Sequence, residues 1–283
     1  MATTFVLDGF DNPVTVSMTA NITQRQLLEF PAFRTWRSAL HRNLELQKDS
    51  DHMFHNSPFT LRSITIQSVD WFTPHRIGFI KLSAQMKNQQ GRVLPGIALL
   101  RGGSVAVLII LKPRDSRDER LVLLTEQPRI SAGSLSFLEI PAGMLDDNKN
   151  FAGAAAKEIL EETGFRIPRA ELVDMTELAL RESRIPEAKN LQQAMYPSPS
   201  GSDEFIAIFL WEKELDRQEI EELRDKLTGK RMAGELIGLR ICDYEDLWRE
   251  GARDGKTLAA WSLYEGLNRS GVMQAELRKR RRG

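Results

Sequence analysis

The stretch 143–165 constrains this chain more than any other part of it. Its middle, 151–162, is rich in Ala and Glu and reads as a helix, and Gly164 offers a left-handed stop at its C-terminal end. On that helix Glu158, Glu161 and Glu162 stand at i, i+3 and i+4, so Glu158 neighbours both of the others. Three such carboxylates repel one another. Exposure to water relieves the repulsion, and so does a divalent cation. Mg²⁺ takes hard oxygen ligands, usually a few carboxylates with waters and substrate phosphates. A short apolar strand and a Gly-containing loop lead into the helix.

The rest of the chain divides around this element. Its 283 residues suggest about two domains. Residues 5–17 read as one or two small strands. Residues 23–48 read as one helix interrupted at Pro31. Residues 59–70 and 76–87 are two strands joined by a turn at Thr73-Pro74, and 93–100 is a third. Arg101-Gly102-Gly103 is the expected boundary. Beyond it, 104–111 and 121–126 form a hairpin, and 138–140 is a short strand. Residues 172–180 and 204–211 read as further strands, with 181–201, which holds three prolines, as a mobile loop between them. Residues 214–226 read as a charged helix, 236–241 as a strand, and 244–250 and 257–267 as helices. This implies an α+β chain: a β-rich N-terminal domain with one helix at 1–100, a larger domain at 101–270, and a disordered basic tail at 271–283.

Composition removes several function classes. Lys plus Arg and Asp plus Glu both number 39, so no net charge favours nucleic acid or an anionic membrane. The single cysteine, Cys242, excludes a disulfide framework and a CxxC metal site. No apolar run approaches the ~20 residues that span a bilayer, and the first residues carry no leader-like pattern. The expected location is the cytoplasm, with nuclear import through the basic tail as the variant. The four histidines show no metal-ligand spacing beyond His52 and His55 in a polar loop, and no P-loop or Gly-x-Ser-x-Gly elbow is present.

The segment 143–165 resembles the Nudix hydrolase motif, G-x5-E-x7-R-E-U-x-E-E-x-G-U, where U is apolar. Gly143, Glu158, Ile159, Glu161, Glu162, Gly164 and Phe165 fall on it in register. Lys149 replaces its first Glu and Lys157 its Arg; the second change keeps the charge and loses the planar fork. The likeness extends outward. Residues 125–129, Thr-Glu-Gln-Pro-Arg, resemble the E-Q-x-R segment of the ADP-ribose and ADP-sugar branch. Residues 139–143 resemble its E-x-P-A-G lead-in, and 198–204 its S-P-G-x-x-D/S-E loop. Over roughly 59–268 the chain is similar to ADP-sugar diphosphatases of the plant ADP-glucose pyrophosphatase type.

This resemblance implies a Nudix α/β/α sandwich with a mixed sheet behind a small β-rich domain that supports a homodimer. It implies hydrolysis of an ADP-sugar, ADP-ribose or ADP-glucose, to AMP and a sugar phosphate. The metal, Mg²⁺ or Mn²⁺, is implied to sit on Glu158, Glu162 and the backbone carbonyl of Ala142, with Glu161 in the same cluster. Glu204 is the implied general base, with Glu235 as its rival. Arg129 is implied to meet the phosphates and Glu139 to belong to the substrate pocket, with Arg76 as a weaker contributor. Trp71 or Phe72 is implied to stack on adenine, and Phe72 reads more readily as a core aromatic than Trp71 does. The insert 181–196 is expected to shape sugar selectivity. UDP-sugars or dinucleotides are the alternative substrates. A non-catalytic nucleotide-binding module is the alternative of another class, against which the intact glutamates argue.

Overall fold

The computed structural model describes residues 3–145, 151–224, 226–228 and 237–282, with Glu158, Arg281 and Arg282 described as backbone alone. The chain forms two compact units: 1–103 with 184–192 and 198–205, and 104–183 with 193–197 and 206–283.

The first unit is built on a six-stranded sheet, β1 (Thr3–Leu7), β2 (Val14–Met18), β3 (Phe59–Thr73), β4 (Arg76–Asn88) and β5 (Val93–Leu94), with β6 (Ile97–Leu100) also paired to β4. β2 runs parallel to β3; the other pairings are antiparallel. Alternation along β3 and β4 buries Ile64, Ile66, Ile80 and Leu82 against Leu27 and Phe33. Each such large side chain contributes roughly 1.5–3 kcal/mol. The single interrupted helix expected at 23–48 is two helices, α1 (Gln24–Glu29) and α2 (Pro31–Glu45). Thr23 opens α1 with a capping box: Gln26 N donates to Thr23 Oγ1 at 3.2 Å and Thr23 N donates to Gln26 Oε1 at 2.9 Å. Pro31 then starts α2 at a position where its missing N–H costs nothing.

The second unit carries an eight-stranded sheet. Its elements are β7 (Gly103–Pro113), β8 (Leu121–Arg129), β9 (Ser134–Glu139), β10 (Ala142–Met144), α3 (Phe151–Thr163), β11 (Val173–Asp174), α4 (Met175–Leu180), β12 (Phe205–Leu215), α5 (Arg217–Glu221), β13 (Leu227–Thr228), β14 (Ile237–Asp243), α6 (Leu247–Glu250), α7 (Gly255–Arg269) and α8 (Val272–Arg282). The strand order is β11-β12-β7-β8-β14-β13, with β10 beside β7 and β9 beside β8. β7 is a continuous apolar run because both its faces are buried. Ala106, Leu108 and Ile110 pack with Leu178 of α4, Tyr264 of α7 and Met273 of α8. Val105, Val107 and Ile109, on the opposite face, are just as buried, and α3 buries Ala155 and Ile159. This is the α+β sandwich expected from the sequence.

Three segments depart from expectation. Residues 172–180, read as a strand, are two residues of β11 followed by α4. Asp174 caps that helix, accepting from Glu177 N at 2.9 Å, and the cap starts a helix where a strand was expected. Among the described residues of 214–226 only α5 is helical, because β12 extends to Leu215 and Asp216 begins a new capping box with Glu219. The tail, expected to be disordered, forms α8: Met273 is buried, and Arg280 Nη1 donates to the carbonyls of Ala170 and Leu172 at 3.0 and 2.7 Å. In the 181–201 connection, Asn190 is tied to α2 by Arg42 and Asn43. Among the described residues no helix is long and apolar enough to cross a membrane.

Candidate active site

Helix α3 ends where the sequence requires. Gly164 adopts φ +80°, and its N–H donates to Leu160 O at 3.1 Å. Buried Ala155 and Ile159 set the rotation of the helix, which turns Glu162 inward to 7% exposure. A carboxylate this buried needs partners. Glu162 Oε2 accepts from the Ala142 N–H of β10 at 3.1 Å, and Oε1 from Gln127 Nε2 of β8 at 3.4 Å. Glu161 is half-buried beside it in the chain.

Glu161, Glu162 and the Ala142 backbone are hard oxygen donors, the chemistry that Mg²⁺ and Mn²⁺ select over softer ligands. The N–H groups on Glu162 hold its carboxylate in a fixed orientation, so the residues present fit such an ion. Among the described residues no three His, Cys, Asp or Glu side chains gather at ligating distance. The side chain of Glu158, the third carboxylate of the set, lies outside the described residues, as do Lys149 and Glu235.

Next to this helix stands a second polar group. Arg129, at the end of β8, donates from Nε to Glu139 Oε1 of β9 at 2.7 Å. The other oxygen of Glu139 accepts from Lys256 Nζ, at the start of α7. Glu139 is 2% exposed, whereas the Arg129 side chain is 38% exposed. Glu139 therefore sits behind Arg129 and holds it. Lys256 Nζ also donates to Asp254 Oδ1 at 3.1 Å. Asp254 caps α7, accepting from Thr257 N at 3.1 Å and Thr257 Oγ1 at 2.6 Å. The Thr257 hydroxyl accepts from Ile140 N at 3.0 Å. The start of α7 thus grips residues 139 and 140, two positions before Ala142. Sequence reasoning missed Lys256, Asp254 and Thr257. The available signal was Asp254 as an N-cap, three residues before Thr257. Elsewhere on β8, Glu126 is held below the usual carboxylate range, first by the Ser136 hydroxyl and then by Arg240.

Glu204, Trp71 and Arg76 belong to the first unit. Glu204, just before β12, pairs with Arg101 Nη1 at 3.0 Å. Its neighbour Asp203 accepts from Arg101 N at 2.7 Å and Gly102 N at 3.1 Å. Burial raises the Asp203 carboxyl above its ordinary range, against those N–H groups. Trp71 packs against the first unit's core, whereas Phe72 is 47% exposed with Arg76 over its ring at 5.8 Å. This reverses the expectation for the two rings. Register shifts on either side of Trp71 break the regular strand alternation at this end of the hairpin.

Three comparisons bear on this arrangement. A family model described as the NUDIX domain matches residues 102–261. Nudix hydrolase 14, chloroplastic, of Arabidopsis thaliana is 36% identical over 271 residues, which covers 94% of this chain and 81% of that protein. A solved structure described as the crystal structure of an ADP compounds hydrolase covers 75% of this chain and 98% of its own at 17% identity, with a TM-score of 0.42. The family match runs from the start of β7 into α7 and so takes in the glutamate helix, the β8–β9 hairpin and the Asp254 cap together. This chain belongs to the NUDIX family of hydrolases.

Proposed function

We propose that this Nudix hydrolase cleaves the diphosphate of an ADP-sugar, ADP-ribose or ADP-glucose, to AMP and a sugar phosphate. One observation carries the reading. Gln127 and Arg129, two residues apart on β8, reach Glu162 and Glu139 respectively, so one strand joins the carboxylate end of α3 to a half-exposed guanidinium. A guanidinium fork suits the oxygens of a phosphate. Glu158, Glu162 and the carbonyl of Ala142, with Glu161, would hold Mg²⁺ or Mn²⁺. When bound, such an ion polarises phosphoryl oxygens and acidifies the attacking water. In this reading Arg129 binds and orients the diphosphate, with Glu139 at its back. Glu204 takes the proton of the water, with Glu235 as the rival base. Trp71 or Phe72 stacks on adenine, Arg76 adds charge nearby, and the first unit supports a homodimer. The insert 181–196 selects the sugar.

The test is AMP release from ADP-ribose, ADP-glucose, UDP-glucose and a dinucleotide, with Mg²⁺, with Mn²⁺ and with chelator. Metal-dependent AMP from one ADP-sugar is expected. Cleavage confined to UDP-glucose or the dinucleotide would move the substrate to another nucleotide class, and no metal-dependent cleavage of any member would overturn the reading. Glu204→Gln and Glu235→Gln, assayed side by side, separate the two bases. Light scattering reports the homodimer.

A further inference from the structure

We infer that Lys256, at the first turn of α7, is a positioning residue for Arg129: it holds the back of Glu139 so that the Arg129 guanidinium meets the substrate diphosphate in one fixed orientation. The inference rests on the reading of a diphosphate substrate, though not on its base or sugar.

Three observations converge. First, Lys256 stands where a cation is disfavoured, since the N-terminal end of a helix carries partial positive charge. Its side chain is nevertheless only 12% exposed, and its ammonium lies between two carboxylates, Glu139 and Asp254. Second, the two oxygens of Glu139 are divided: Oε1 serves Arg129 and Oε2 serves Lys256. If Lys256 is removed, a 2%-exposed carboxylate keeps one oxygen unpartnered, and its torsions are no longer fixed from behind. Third, Lys256 is itself anchored. Asp254 accepts from its ammonium at 3.1 Å, while the other Asp254 oxygen is fastened to Thr257. The path from the backbone of α7 to the Arg129 guanidinium is thus a series of charge-assisted hydrogen bonds. Arg129, more exposed than any other member, is the one able to meet a ligand. Losing an outer partner that orients a metal ligand typically costs 10–100-fold, and the lower end of that range sets the scale for a partner that orients a guanidinium.

The experiment uses the full chain with whichever diphosphate substrate of the panel it cleaves. Lys256→Met, Lys256→Arg, Arg129→Ala and the double variant Arg129→Ala/Lys256→Met are compared for kcat, KM and melting temperature. Lys256→Met is expected to raise KM about tenfold with kcat within about threefold, and Lys256→Arg to recover most of that loss. In the Arg129→Ala background Lys256→Met should add less than about twofold, because its effect passes through the missing guanidinium. An unchanged KM, or an equal rise in both backgrounds, would overturn the inference. If Lys256→Met does not fold, Glu139→Gln is compared with Glu139→Gln/Lys256→Met, in which no buried charge is left behind: a further rise in KM on loss of Lys256 is expected, and equal KM values are the contrary result. Absence of any turnover by the wild type is the failure of the functional reading, whereas normal turnover with KM insensitive to Lys256 is the failure of this inference alone.

Discussion

Arg129 and Glu139 are ten residues apart in the chain and 2.7 Å apart across the β8–β9 hairpin, with Lys256 closing the pair from behind. Glu139→Ala removes the one acceptor common to both cations. We expect a loss of about 2–3 kcal/mol in urea unfolding, below the full cost of a buried pair because Arg129 is partly solvated. Glu139→Gln, which keeps an acceptor, should lose less. Equal stability of the alanine variant and the wild type would mean that the cluster is not coupled to folding.

Glu162 is oriented by the N–H of Ala142 and by Gln127. Glu162→Gln keeps the volume and an acceptor but loses the charge that a hard cation needs. Turnover should fall about 100-fold or more, near 2.7 kcal/mol of transition-state stabilisation, with the circular dichroism spectrum unchanged. Chelator should have the same effect on the wild type, reversed by added Mg²⁺ or Mn²⁺. Full activity of the variant would remove Glu162 from the site.

The fully buried Thr257 hydroxyl links Asp254 to the Ile140 N–H. Thr257→Val preserves shape and leaves that N–H without its acceptor, for an expected cost of about 1–3 kcal/mol. Thr257→Ser should restore most of it. Thermal melts of the three proteins decide the matter; a valine variant as stable as the wild type would show that water replaces the hydroxyl.

The carboxyl of Asp203 is raised by burial. The folded chain therefore holds its proton more tightly than the unfolded chain does. Asp203's contribution to stability is full below the ordinary carboxylate pKa and is lost as pH rises through the raised value. Asn at this position can still accept from Arg101 N and Gly102 N. Asp203→Asn should thus match or exceed wild-type stability at pH 7 and give up that advantage on acidification toward pH 4. A variant markedly less stable at pH 7 would mean that the charge itself holds the loop.

Cys242 on β14 is pushed up to about 12, chiefly by burial and then by Glu250, Asp243 and Asp246. Only the thiolate attacks alkylating agents. At pH 8 its modification should be at least about a hundredfold slower than that of an ordinary thiol near pKa 8.5, rising about tenfold per pH unit. Rapid stoichiometric labelling at pH 8 would contradict the environment described.

Much of this protein was legible from neighbours in the sequence. The i, i+3, i+4 glutamates, the Gly164 stop, the β3–β4 alternation and the apolar run of β7 are each set by contacts within a few residues, or by the burial of one face. Their periods therefore appear in the chain itself. Tertiary structure decided the rest. Lys256 and Thr257 reach Glu139 and Ile140 across 117 positions, and a pairing at that separation leaves no period to read. The choice between Trp71 and Phe72 turned on bulges that shift strand register. The apolar residues of 172–180 suit a strand or a buried helix alike, and the Asp174 cap together with packing against α7 selected the helix. Local chemistry thus set many of the elements and where the glutamates stand on their helix. Long-range packing chose the residues that stand behind it.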